Sequence, residues 1–560
     1  MHKNINVKST ILLLAICLIP IMEAFAQQPY ASNSRLADGT WYKIPISQTG
    51  IYKLTTSDLA DLSGIPCSKI ALYGSDGMML YTSNSAEHPD DMVPAAIEIV
   101  DQNGNGTFDT EDYLLFYAEG TNVWRYASQS NRFQYHVHAY ANNNYYYLNL
   151  ENAEALDQGL RLTTAQQFES NSPDITVNTF AAVYGEENIN TDNSGQIWFS
   201  DKYTNSIQKR NYTIAVPGLN LSNPVKARFG LATVSTSSSD FKMQVGSETR
   251  TYTFTSGTMY ETFLAEFTSQ SNNEVRITCS YTPRENNANG YLDFIELNCD
   301  IPLARTAGQN FFHNSKNMTA NSISRFVVQG NGTGVSVWDV TLPSAPVKQA
   351  LQNNGNSFSF IAATSQARSF VAFTLADAIS PSGITAIENQ NIHGSDVPEY
   401  VIVSHPDFLP QAQRLAQLHK EHEGLKTMIV TPEEVYNEFS SGKQDPVAIR
   451  QMMRCLRAKS DNPANPRYLL LFGKGSFDNR DIQGKGLRTV VTYETSNTFD
   501  NDAYPSDDIY GHLDDFAADA FSGNMSVSIG RLPASTVEEA THLVDKIDGY
   551  MNRRDLSRSD

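Results

Sequence analysis

The chain has 560 residues, length enough for roughly three domains, with 40% hydrophobic and 10% aromatic side chains. Its net charge of -20 argues against a nucleic-acid partner, because phosphate binding needs clustered basic side chains. The 27 Tyr and 27 Phe suit β-sheet surfaces.

The first stretch reads as an export signal over residues 1–26. Lys3 and Lys8 precede an apolar run, Ile11 to Ile21, and Ala24-Phe25-Ala26 then supplies a small-residue cleavage site before Gln27. The run is about half the ~20 residues of a membrane-spanning helix. Cys17 leaves with it. Of the other cysteines, Cys67, Cys279, Cys299 and Cys455, an exported chain could join Cys279 to Cys299. Spacing alone does not decide that.

Residues 27–165 read as a β-rich N-terminal domain. Trp41 to Ile46, then Thr49-Gly50, then Ile51 to Leu54 form a hairpin signal, and Thr55 to Leu62 reads as one short helix. Tyr145 to Leu150 is a tyrosine-rich strand, better suited to cross-strand packing than to stacking on sugars. The sharpest motif is D-Q-N-G-N-G-T-F-D-T-E-D, from Asp101 to Asp112. Its oxygen-bearing side chains fall at positions 1, 3, 5, 9 and 12, with glycine at 6, the register of an EF-hand-type calcium loop. Asp101, Asn103, Asn105 and Asp109 would ligate by side chain, Thr107 by its carbonyl, and Asp112 last. Asp112 replaces the usual Glu and has a shorter reach. Ile97 to Val100 before and Tyr113 to Tyr117 after read as strands, so a calcium ion would clamp a long hairpin. The plain alternative is an Asn/Gly turn that binds nothing. No motif calls for an organic cofactor.

Residues 166–395 continue in β character, as a sandwich-like domain and a linker. Strand candidates are Gln196 to Ser200, Tyr212 to Val216, Glu274 to Cys279, Phe326 to Val328 and Val335 to Thr341. Pro381, Gly383 and Gly394 mark Ser380 to Ser395 as the linker.

From 396 to 560 the period changes. Tyr400 to Ser404 is a buried strand, Asp407 to Glu423 a helix closed by Gly424, and Leu425 to Val430 the next strand. Thr431 caps a helix with Pro432 at its first position. Asp445-Pro446 opens another, with Ala448, Ile449, Met452, Cys455 and Leu456 on one stripe. Tyr468 to Phe472 is an apolar strand ending at Gly473, and a short strand at Ser528 leads to a helix beginning near Thr536. Strand–helix alternation implies a mostly parallel sheet, with sites beyond the carboxyl ends of its strands.

Three stretches of this last region, Y-L-L-L-F-G-K-G-S-F-D from Tyr468, S-D-D-I-Y-G from Ser506 and S-I-G-R-L-P-A-S-T-V-E-E-A from Ser528, with V-D-K-I-D-G-Y from Val544, resemble the first half of a gingipain-type cysteine peptidase domain. The likeness is greatest to the family's surface sortases of the type IX secretion system. The resemblance implies a multidomain protein: an all-β, sandwich-like N-terminal region, then a truncated caspase/gingipain-like α/β domain. It implies a cysteine endopeptidase and transpeptidase at the outer-membrane cell surface, which removes C-terminal signal domains from secreted cargo. Its partners would be that cargo, the outer-membrane secretion proteins and surface lipopolysaccharide as acceptor. In the family the catalytic His ends a Gly-His-Gly strand and the Cys follows on the next strand, both past the stretch that matches Val544 to Tyr550. Both are therefore expected beyond Asp560, and this chain alone is expected to be inactive.

The titratable residues present fit that expectation. Cys455 lies on an apolar helix stripe, not in the exposed, electropositive setting of a nucleophile. His419 and His422 suit a solvent-facing helix side, and His512 lacks a following glycine. Gly473-Lys474-Gly475-Ser476 breaks the phosphate-loop spacing and reads as a strand-end turn. The acidic run from Thr489 to Gly530 reads as solvated surface, with a second calcium site near Asp507, Asp508 and Asp514 as the alternative. A rival from another class is a non-catalytic adhesion or glycan-binding surface protein, separable by the reading frame past codon 560.

Overall fold

The computed structural model describes residues 30–151, 160–255, 257–486, 488–496, 498–499, 503–515, 521 and 523–552. The expected signal segment, 1–26, lies outside them.

Among the described residues, four packed regions follow one another along the chain. In the first, a five-stranded antiparallel sheet runs Thr385–Ile387, Trp41–Ile46, Asn144–Asn149, Ala71–Gly74, Pro94–Ala95. It faces a three-stranded sheet of Gly50–Leu54, Tyr113–Ala118 and Ile97–Val100, with Ile44, Ile46, Leu54, Phe116 and Leu148 closed between them. Two expectations fail here. Trp41–Ile46 and Gly50–Leu54 do not pair as a hairpin; each is buried on both sides and finds neighbours in a different sheet. A turn signal specifies a reversal and not the next strand's partner. The supposed linker supplies Thr385–Ile387, which pairs with Trp41–Lys43 and ties the end of the β region back to its start. Thr55 to Leu62 forms turns and a single 3-10 turn at Ala60–Leu62 instead of a helix.

Residues 166–395 hold two sandwiches. One packs the sheet Val177–Tyr184, Asn289–Pro302, Val225–Ser235, Gly257–Phe267 on Lys209–Ala215, Glu274–Thr282, Ser239–Val245, Glu248–Phe254. The other is built around Phe312, Phe326, Val337, Phe360 and Phe370. Gln196–Ser200 makes only the isolated bridge between Ile189 and Phe199. Trp198 and Phe199 instead stack on Phe477 and Phe499 of the last region. Cys279 and Cys299 are free and buried in the first of these cores, where burial pushes both thiols up to about 12. The considered disulfide is not present.

The last region is a four-stranded, all-parallel sheet. Its strands are β1 (Tyr400–Ser404), β2 (Thr427–Val430), β3 (Tyr468–Phe472) and β4 (Ser528–Leu532), in the order β2-β1-β3-β4. Its helices are α1 (Leu409–Glu423), α2 (Pro432–Phe439), α3 (Pro446–Ala458) and α4 (Val537–Met551). Alternation along each strand serves two layers. Tyr400, Ile402 and Leu470 face Leu415 of α1 and Val544 of α4; Val401, Val403, Leu469 and Leu471 face Val435 of α2 and Ile449 of α3. The ends are specified locally. Gly424 closes α1 with φ 70°, Thr431 and Glu434 form a capping box on α2, Asp445 caps α3 and Thr536 caps α4.

The expected single stripe of α3 is an underestimate, since Arg450 and Gln451 on its other side are also buried. The N-terminal domain covers that side. Leu80 N donates to Asp445 Oδ2 (2.9 Å) and Arg450 Nη2 to the Thr82 carbonyl (2.6 Å). Lys443 Nζ donates to Ser75 Oγ (2.6 Å), and Lys43 Nζ reaches Glu433 (2.8 Å) and Asn437 (2.9 Å) of α2.

Candidate active-site region

Beyond the carboxyl ends of β3 and β4 lies a cleft of about 290 Å³, lined by Gly475, Ser476, Thr492, Glu494, Asp507 and Arg531 among others. Arg531, on β4, holds it together. Its guanidinium pairs with Asp507 through Nε and Nη2 (both 2.7 Å). Nη1 also donates to the carbonyls of Gly473 (3.0 Å) and Val490 (2.9 Å). A planar fork of donors suits this double task. Thr492 Oγ1 donates to Asp507 Oδ1 (3.0 Å), so Asp507 is fully engaged.

Glu494 is 1% exposed. Its Oε2 accepts from Gly195 N (2.9 Å) and Ser194 Oγ (3.4 Å) of the sandwich region, while Oε1 has no partner. Burial, the largest influence, pushes its carboxyl up to about 7. A buried acid near neutrality at a strand-end cleft is a group able to hold or move a proton. Sequence reading placed Glu494 in a solvated acidic run and passed over Arg531, because both depend on loops that the fold brings together.

Among the described residues neither a cysteine nor a histidine lines this cleft. Cys455 is fully buried among α3 core residues, and burial pushes its thiol up to about 12, as expected of a packing residue. His419 is partly covered, edge-on to Tyr400 and paired with Glu423; His422 is exposed. His512 is buried, its carbonyl accepting from Asn84 Nδ2. His405, which sequence reading did not single out, follows β1 directly and caps the turn at Pro406–Phe408. The Gly473–Ser476 segment, expected as a turn, instead leaves the strand with a bend at Gly473 and a parallel bridge from Lys474 to Thr489. Around the possible second calcium site, Asp507 is paired with Arg531, Asp514 with Arg457 and Asp515 with Arg454. Cations from neighbouring elements thus neutralise three carboxylates of that run, while Asp508 makes no ion pair among the described residues.

The strands Ile97–Val100 and Tyr113–Ala118 flank the calcium-type loop as expected, paired with each other. Asp101 accepts Gly104 N and Gly106 N (both 2.7 Å). Asn103 and Asn105 turn their amides to Asp109 Oδ2 (2.7 and 3.2 Å). Asp112, 1% exposed, accepts Gln102 N and Asp109 N (both 2.8 Å). Gly104 and Gly106 take φ of 71° and 79°, where a Cβ is strained. Phe108 is fully buried and exchanges backbone hydrogen bonds with Ile65 and Gly64. The side chains of Asn103, Asn105 and Asp109 thus converge, and rotating the two amides would turn oxygen inward. Among the described residues no group of three or more His, Cys, Asp or Glu converges. A cation here would depend on those amide oxygens and a carbonyl such as that of Thr107.

Residues 393–559 match the model of peptidase family C25. The chain is similar to the crystal structure of dimeric latent PorU from Porphyromonas gingivalis, with TM-score 0.80, 24% identity, and coverage of 93% of this chain and 50% of that one. It therefore spans about half the length of that relative. Weaker likenesses, covering 21% of this chain at TM-score 0.15, are to the CBM36-1 domain of a multidomain xylanase from the hindgut metagenome of Trinervitermes trinervoides (10% identity, 96% of that chain) and to a carbohydrate-binding module CBM36 in complex with calcium and xylotriose (14% identity, 98% of that chain). Likeness that slight carries no functional argument. No curated protein matches. The chain thus carries, at residues 393–559, a segment that matches peptidase family C25, within a fold similar to that of PorU.

Proposed function

We propose that this chain is the exported front portion of a gingipain-type sortase of the type IX secretion system, a cysteine endopeptidase and transpeptidase at the outer-membrane surface. The observation that carries the reading is the family C25 segment with its cleft at the carboxyl ends of a parallel sheet. In this reading the complete enzyme removes C-terminal signal domains from secreted cargo and transfers the cargo to surface lipopolysaccharide, working beside the outer-membrane secretion proteins. A cysteine thiolate attacks the scissile carbonyl, a histidine moves the proton and backbone amides hold the oxyanion. The nucleophile and base come from residues after Asp560, so these 560 residues alone cleave no peptide. Reading the gene past codon 560 is the test. A Gly-His-Gly strand end and a downstream cysteine are expected; a stop codon directly after Asp560, in a gene whose product works by itself, overturns the reading.

The loop Asp101–Asp112 in this proposal takes a structural calcium ion. Calcium at about one hundred times its dissociation constant then stabilises the first domain by about 3 kcal/mol over the chelated protein. Asp101→Asn with Asp109→Asn abolishes the difference. Identical thermal unfolding in calcium and in chelator counts against the site.

A further inference from the structure

Beside the cleft, on the far side of the Trp198–Phe477 stack, lies a larger cavity of about 740 Å³. The hairpin Asn122–Ala127/Arg132–Val137, the sandwich strand Asn289–Pro302 and the loops near Glu186 and Trp198 enclose it. Its floor is built by a backbone irregularity. Against Val225–Ser235, the pairing jumps from Phe229 opposite Ile295 to Leu231 opposite Leu292. Asp293 and Phe294 therefore both stand opposite Gly230, one residue more than the ladder takes, and both line the cavity although they are adjacent in sequence. A bulge is the usual device for re-aiming side chains from a strand. Gly230 is needed for it, since a Cβ there would sit 2.8 Å from the Phe294 ring and 2.9 Å from Asp293.

Among the described residues the lining holds four carboxylates, Glu186, Glu187, Asp293 and Glu296, and no Lys or Arg. Two are neutralised by cations outside the lining, Glu296 by Arg228 (Nε to Oε2, 2.8 Å) and Glu187 by Arg480 (Nη1 to Oε2, 2.6 Å). Asp293 is held only by a neutral donor, Tyr260 Oη at 2.8 Å, and Glu186 accepts from the Asn188 amide at 3.0 Å. Neither makes an ion pair among the described residues. Tyr135, Trp198 and Tyr260 add aromatic walls, while the Phe294 ring is already covered by the Arg228 guanidinium at 4.4 Å. Gln196, a possible donor, already gives its amide to the Glu494 carbonyl (2.6 Å).

We infer that this cavity binds a peptide segment carrying a lysine or arginine side chain, with Asp293 and Glu186 receiving the cation and the aromatic rings covering its stem. The chemistry selects that class. Among the described residues the walls carry four carboxylates and no cation, and a guanidinium or ammonium, which is all donor, matches the two carboxylates left without an ion pair. Rings beside carboxylates favour cations through their faces, and the volume suits a short peptide better than a lone ion. This goes beyond the peptidase reading and is tested without any cleavage.

The probe is acetyl-Ala-Ala-Arg-Ala-Ala-amide, titrated into the 560-residue chain at low salt by calorimetry and tryptophan fluorescence, with the citrulline peptide as its neutral twin. One-to-one saturable binding of the arginine peptide is expected, about tenfold tighter than the citrulline peptide, and weakened in both Asp293→Asn and Glu186→Gln. Glu186 is exposed, so Glu186→Gln tests the site even where Asp293→Asn disturbs the fold. Equal affinity for the two peptides, no saturable binding of either, or unchanged affinity in Glu186→Gln overturns the assignment.

Discussion

The sandwich of residues 177–302 and the seam between the N-terminal domain and helices α2–α3 are both closed to water, and they are filled with different chemistry. In the sandwich, Phe229, Leu231, Val275, Ile277 and Leu292 are each at most 1% exposed, alongside a fully buried Cys279. In the seam the residues at 1% or less include Glu438, Lys443, Asp445 and Arg450, beside Tyr147 and His393. Glu438 shows how such charge is tolerated. Its Oε1 accepts Gln390 Nε2 (2.9 Å) and Ile392 N (2.8 Å), and its Oε2 accepts His393 N (3.1 Å) and Nδ1 (2.6 Å). His393 Nε2 in turn meets the Asp90 carbonyl at 2.8 Å. A sheet packing on its own partner closes mainly with apolar side chains, whereas a seam between two domains must also satisfy loop amides and carbonyls. Buried charges with several partners do that.

The comparison predicts which losses are electrostatic and which are packing. The largest effect belongs to the seam: Glu438→Ala strands a buried imidazole and two backbone amides, and costs about 4 kcal/mol as a shift in the denaturant midpoint. A cost below about 1 kcal/mol would show that the seam contributes little. In the sandwich, Leu231→Ala costs about 3 kcal/mol by leaving a cavity, and the loss should be the same at pH 6.5 and pH 9. A pH-dependent loss there would dissolve the distinction.

The seam itself should titrate. Burial opposes charge on His393, but its hydrogen bonds to Asp90 and Glu438, with the charge of Asp91 nearby, outweigh burial and raise it from 6.5 to about 9. Lys459 also faces this group, donating to the His393 carbonyl (2.5 Å). A basic group raised on folding adds stability that is full below pH 6.5 and lost as pH rises through about 9. Unfolding followed from pH 6.5 to 9.5 should therefore show a decline on the order of 2–3 kcal/mol, absent in His393→Gln. A flat profile for the unmodified protein would mean that the imidazole is neutral in the fold. Smallest is the exposed pair of Arg414 with Asp545 (2.8 Å) between α1 and α4, side chains 41% and 54% exposed. Arg414→Ala should cost about 0.5 kcal/mol or less, and a larger value would mean that solvent exposure is not what separates the two kinds of ion pair.

Legibility followed the range of the interaction. The capping box of Thr431 and Glu434, the left-handed Gly424 and the alternation of Val401 and Val403 with Tyr400 and Ile402 are local, and each was readable from a few neighbouring residues. The packing role of Tyr146 and Tyr147, buried to 1% and 0%, followed from strand chemistry, and the core position of Cys455 from helix spacing. The strand at Thr385–Ile387 was missed because its partner lies more than three hundred residues earlier. Gln196–Ser200 was misread because its aromatic rings are buried by another domain and not by a ladder. Of the cleft, the acidic loop was visible as a motif. The pairing of Asp507 with Arg531 and the solitary oxygen of Glu494 were not.

By itself the sequence determined the kinds of elements, their caps, the change from β-sheet to alternating strand and helix near residue 396, and the spacing of oxygen ligands from Asp101 to Asp112. Those are set by backbone preferences and side-chain periods acting over a few residues. Only the tertiary structure decided which strands became neighbours, that α3 is buried all round, and that Asp293 and Phe294 share one cavity floor. Each of these depends on surfaces distant in the chain meeting, where desolvation and unpaired polar groups, and not local preference, set the free energy.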